Sequence, residues 1–121
     1  MKWFFFNQNN SGGHFDFDAV RGISRAVLIE ANNAEEANFK AEAIGLYFDG
    51  EDDCPCCGER WSKVDDAYDG TDDPMVYGDR VEADSKFEKG NGILNIQWME
   101  DRGPEGYMHF KDGTFKGFWK P

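Results

Sequence analysis

The chain has 121 residues, room for one domain and too little for two of ordinary size. Hydrophobic residues make up 40% and aromatics 16%, which excludes an intrinsically disordered chain and calls for a packed core. With 24 acids against 13 bases the net charge is −11, the reverse of the basic footprint that holds a phosphate backbone, so direct binding of nucleic acid is disfavoured.

The first predicted element is a strand over residues 3–6, Trp3-Phe4-Phe5-Phe6, aromatic on both alternate faces as in a strand covered on two sides. Only these four apolar residues follow Lys2, too few for a secretory signal, and no run of about 18 apolar residues exists to span a bilayer. A cytoplasmic protein without membrane contact is expected. Residues 7–13 then break the strand with turn formers, and a second central strand is expected over residues 25–31, an apolar run bounded by charges. Asn33 is placed as a helix N-cap with Glu36 three residues on, and Gly45 supplies the stop. Between them Ala34, Ala37, Ala41 and Ile44 recur at spacings of three and four, so one surface helix over about 34–44 should lie on a sheet.

Charge divides the chain unevenly. Residues 1–48 hold six acids and four bases (net −2), residues 49–84 hold thirteen and three (net −10), and residues 85–121 hold five and six (net +1). The middle third also lacks regular hydrophobic periodicity and carries turn signals at Asp49-Gly50, Asp69-Gly70 and Asp73-Pro74, so it reads as an acidic loop region between scaffold segments 1–48 and 85–121. Beyond it, Leu94, Ile96 and Trp98 alternate with polar residues as in a half-buried strand. Over 106–120, Asp112-Gly113 fits a two-residue hairpin turn that would pair Phe110 with Phe115, His109 with Lys116 and Tyr107 with Phe118. An exposed Phe118-Trp119 edge would suit a protein contact or a homo-oligomer. Together these elements predict a single α+β domain over 1–121, with a mainly antiparallel sheet, one surface helix and a C-terminal hairpin.

Two constellations could carry chemistry. Cys54-Pro55-Cys56-Cys57-Gly58 has the spacing of one zinc knuckle, in which Cys54 and Cys57 would be ligands. A closed site needs four, and Cys56, His14, His109 and the acids Asp52, Asp53 and Glu59 are candidates for the rest; the alternative is a metal-free turn whose thiols pack as small hydrophobes. An odd cluster of three cysteines within four positions cannot form a disulfide framework and suits a reducing compartment. The second is the polar loop Asn7, Asn9, Asn10, Ser11 and Gly12, which with Arg25 could hold a nucleotide-like small ligand, or could be a turn in which Asn side chains cap their own backbone. No dinucleotide-binding, P-loop, nucleophile-elbow or zinc-protease motif occurs, so an enzyme is not expected.

The strings NQNNSGG (7–13), IGLYFDG (44–50), CPCCGERW (54–61) and DGTDDPMVYG (69–78) occur together. On these the chain resembles a group of small proteins carried by tailed bacteriophages. The resemblance covers residues 1–78 and implies a setting in the host cytoplasm, without implying a mechanism. In that setting the acids Asp65, Asp66, Asp69, Asp72 and Asp73 could serve solubility alone. They could also support the knuckle, or form a surface that binds a basic host or anti-phage defence protein by imitating nucleic acid. The leading expectation is a non-catalytic accessory protein for host takeover or anti-defence acting through that surface. The alternatives are a nucleotide-like ligand binder and a small structural zinc-knuckle protein.

Overall fold

The computed structural model describes residues 1–9, 17–18, 20–48, 61–67, 69–77, 79–81, 83–88 and 106–118, the backbone alone for 83–88. The elements run β1 (Lys2–Asn7), β2 (Ala26–Ala31), α1 (Ala34–Ile44), β3 (Met75–Val76), β4 (Asp79–Arg80), β5 (Ala83–Glu88), β6 (Gly106–His109) and β7 (Phe115–Phe118). Five of the strands form one sheet in the order β1-β2-β6-β7-β5, and β3 and β4 form a small two-stranded ribbon. Three of the four pairings in the large sheet are antiparallel; β2 and β6 run parallel. The domain is α+β.

Local sequence accounts for α1. The Asn33 side chain accepts from the Glu36 amide at 2.8 Å, and Gly45 ends the helix at φ 117, a left-handed conformation that costs glycine no Cβ clash. Glu36 reaches back to Asn32, accepting from its Nδ2 at 3.0 Å, one residue earlier than in the usual reciprocal cap. Ala34, Ala37 and Ala41 are buried, and their small side chains let the helix lie close on the sheet.

Alternation in β1 and β2 builds a core on each side of the sheet. Phe4, Phe6, Val27, Ile29 and Ala31 pack under α1 with Leu46, Trp61 and Val64. Trp3, Ala26 and Leu28 pack on the opposite side with Val76, Val81, Met108 and Phe118. The acidic middle segment therefore supplies Trp61, Val64, Val76 and Val81 to the two cores, where the lack of periodicity suggested loop alone. Both faces of β1 are covered, as expected, yet β1 is an edge strand, and of the two strands expected to be central only β2 is interior. Thr71 covers part of that edge: the Trp3 amide donates to the Thr71 carbonyl at 2.8 Å, and the Thr71 amide donates back at 2.9 Å.

The C-terminal hairpin forms with a register one residue away from the expected one. His109 pairs with Phe115, Met108 with Lys116, Tyr107 with Gly117 and Gly106 with Phe118. The turn is longer than two residues because the Gly113 amide donates to the Phe110 carbonyl while Gly113 itself adopts φ 89, adding a bulge before Thr114. Because strand side chains alternate, that one residue separates Phe110 from Phe115. Phe115 now stacks near His109 at 5.0 Å, and Phe110 meets Trp3 edge-on at 5.5 Å. Phe118, one half of the edge expected for self-association, is fully buried, and Trp119, the other half, lies outside the described residues. The strand expected around Leu94, Ile96 and Trp98 lies outside the described residues.

Candidate interaction site

Residues 61–67 and 69–73 run between the N-terminal end of α1 and the outer edge of β1, and hydrogen bonds fix them at both ends. Asn38, on the helix, donates from Nδ2 to the Val64 carbonyl and accepts from the Val64 amide at Oδ1, both at 3.0 Å, like one rung of a sheet ladder. Asp66 Oδ1 accepts from the Ala34 amide at 2.8 Å, placing a carboxylate at the positive end of the helix. At the far end Thr71 bonds Trp3, as above.

Between these anchors the expected surface acids act as turn builders. Asp69 Oδ2 accepts from the Asp65 amide at 2.8 Å, Asp65 Oδ1 accepts from the Ala67 amide at 2.8 Å, and the Asp69 amide returns to the Asp65 carbonyl. Each carboxylate has other lone pairs facing solvent, since Asp65, Asp66 and Asp69 are all exposed. Asp72 and Asp73 are exposed as well, with the Lys2 ammonium 3.8 Å from Asp72. Two concave surfaces flank the segment. One lies between α1 and residues 63–66, lined by Glu35, Phe39, Glu42, Lys63, Asp65 and Asp66, with the Phe39 ring 75% exposed. The other lies on the opposite side of the β1 edge, where Trp3, Phe5, Met75 and Tyr77 form the walls.

The remaining candidates separate. Asn7 Oδ1 accepts from the Tyr77 hydroxyl at 2.7 Å, and buried Gln8 donates to the Ser24 carbonyl at 3.0 Å. The start of the polar loop thus ties β1 to its surroundings, and the Gln8 amide donates to the Arg25 carbonyl at 2.9 Å. Arg25 lies over the Phe17 ring at 5.3 Å. Asn9 is half-buried, while Asn10, Ser11 and Gly12 lie outside the described residues, as do Cys54, Cys56, Cys57, Asp52, Asp53, Glu59 and His14. Among the described residues no group of three or more His, Cys, Asp or Glu could hold a metal ion.

His109 is a structural residue. Its Nε2 lies 2.7 Å from the Gly22 carbonyl, which can only accept, so the proton sits on Nε2. Burial pushes its pKa down to about 4 against a smaller opposing effect of the Gly22 bond, and the ring is neutral near pH 7.

Residues 1–120 match the family described as Domain of unknown function (DUF7296). The chain belongs to this family. The match runs past residue 78, so the C-terminal hairpin is part of the family's domain along with the acidic segment. No curated protein and no solved structure matches the chain. No helix among the described residues is long and apolar enough to cross a membrane.

Sequence reasoning singled out the acids and missed their neighbours. Phe39 carried no signal as an exposed group, since an aromatic inside a helix is ordinarily counted with the core. Tyr77 appeared only within the string 69–78. The one available cue was that Phe39 falls outside the stripe Ala34, Ala37, Ala41.

Proposed function

We propose that the protein is a non-catalytic accessory domain of a phage, which binds a basic host or anti-phage defence protein through the acidic face made by α1 and residues 61–73. The observation that carries this reading is the tethering of Asp65, Asp66 and Asp69 to backbone amides, so that the carboxylates stand in fixed positions. A surface that takes the place of a phosphate array needs such positions, because the ordering cost is then met in folding and not on binding. Phe39, exposed among Glu35, Glu42, Asp65 and Asp66, adds an apolar anchor of the kind that dominates interface energies. A charge of −11 steers a cationic partner toward the face and speeds association at low salt.

A pull-down from host lysate with the wild type and the double variant Phe39→Ala/Glu42→Lys tests the reading. A basic protein retained by the wild type, released as salt is raised and not retained by the variant supports it. Equal retention by both proteins, or none at low salt, overturns it. A second reading, that Cys54 and Cys57 hold a zinc ion, rests on their spacing in the sequence. Stoichiometric zinc in the purified protein, lost in Cys57→Ser, would establish it, and a metal-free wild type would remove it.

A further inference from the structure

The concave surface on the second side of the β1 edge has a different chemistry from the helix side. It is a half-open groove of about 330 Å³ walled by Trp3, Phe5, Met75 and Tyr77, with Asp69 and Thr71 at its rim. Its walls are held in place. Tyr77 is 62% exposed, yet its hydroxyl is bound to Asn7 at 2.7 Å and its ring meets Phe5 edge-on at 5.3 Å. On the other wall, Trp3 is clamped to Thr71 through its backbone and to Phe110 through its ring. A large exposed aromatic kept in one orientation is a preformed face for a ligand to stack on.

Charge decides which ligand. Asp69 spends one carboxylate oxygen on the Asp65 amide, and its other oxygen has no partner among the described residues. Asp72 and Asp73 follow it on the surface. Among the described residues the nearby cations leave the groove open: Lys2 lies against Asp72, and Arg80 pairs across the β3–β4 ribbon with Met75, neither contributing to the walls. Aromatic faces and a carboxylate together attract a cation and repel phosphate. Between the two protein cations, apolar walls favour the guanidinium: it is planar, stacks on rings, is more weakly hydrated than an ammonium and can bond a carboxylate through two N–H groups.

We propose that this groove receives an arginine side chain, stacked between the aromatic walls with its guanidinium on Asp69. The inference rests on the reading above, in that a basic protein partner supplies the arginine. The groove then acts as the specific element beside a non-specific acidic face.

Hexa-arginine and hexa-lysine, equal in charge, separate the two claims when titrated at low ionic strength by calorimetry and by NMR. The groove predicts about fivefold tighter binding of hexa-arginine, with shifts centred on the Trp3 indole and the Met75 methyl. Tyr77→Ala and, independently, Met75→Ala should bring the arginine peptide down to the lysine peptide's affinity, with the fold checked by circular dichroism. Equal affinities in the wild type, or shifts confined to the α1 face, overturn the groove and leave the acidic face standing. Failure of both peptides to bind overturns both.

Discussion

Glycine and histidine side by side show how single residues hold this sheet together. Gly106 lies where β6 passes β2, and a Cβ there would sit 2.3 Å from the Ala26 carbonyl oxygen and 2.6 Å from the Phe118 ring. The obstacle is backbone in the parallel pairing itself, so it cannot rotate away. Gly106→Ala is expected to cost about 3 kcal/mol or to prevent folding, measured by urea unfolding. Gly22 has a related role: at φ 74 it presents its carbonyl to His109, and a Cβ would meet that ring at 2.8 Å. His109 in turn links folding to pH. The unfolded chain takes up the proton from about pH 6.5 downward, whereas the folded one, with its pKa pushed down to about 4, resists it. This contribution is complete above pH 6.5 and is lost as pH falls toward 4, by about 3 kcal/mol. Comparing urea midpoints from pH 7.5 to 4, the wild type should lose that much more stability than His109→Gln. Nothing in the sequence distinguished this histidine from a possible metal ligand, because its partner is 87 positions away.

Among the elements, α1 was legible and the hairpin was only half so. Helix bounds follow from groups within four residues of one another: the Asn33 cap, the Gly45 stop and the alanine stripe. The hairpin turn was placed correctly at Asp112-Gly113, but its type depends on whether Gly113 belongs to the turn or follows it, and that one residue decides which faces the aromatics take. A Cβ on Gly113 would meet nothing within 4 Å, so the position demands only its positive φ. Gly113→Asn should therefore cost less than about 1 kcal/mol, and Gly113→Val more, because a β-branched residue resists that conformation; thermal unfolding would rank them. The tie between Asn38 and Val64 is testable in the same way. Asn38→Ala leaves both backbone groups of Val64 without their partner, and should cost about 2 kcal/mol and speed amide exchange at Val64 ahead of exchange in β2.

At the scale of the molecule, the acidic segment is at once charge and core. Trp61 is only 2% exposed although it belongs to the most acidic third of the chain. Trp61→Ala should cost about 3–5 kcal/mol and loosen the adjoining acids with it, seen as lost protection of the Ala34 and Asp65 amides that bond to them. If the face binds a basic partner, the association rate should fall steeply with ionic strength while dissociation changes little, and stopped-flow measurements over a salt series would show it. The candidate site was legible as a composition, since counting acids located it. Its form was not, because the bonds that anchor the segment to the rest of the fold, Asp66 to Ala34, Val64 to Asn38 and Tyr77 to Asn7, span 26 to 70 positions along the chain.

By itself the sequence determined the helix and its ends, the two-sided burial of the first strands and the place where negative charge collects. Each of these depends on side chains a few positions apart. Only the tertiary structure decided that β6 slots in parallel beside β2, that β1 lies at the edge, that Trp61, Val64, Val76 and Val81 leave the acidic segment for the cores, and that a groove opens between Tyr77 and Trp3. Those outcomes are set by competition among distant surfaces for burial and for backbone partners, which local pattern does not encode.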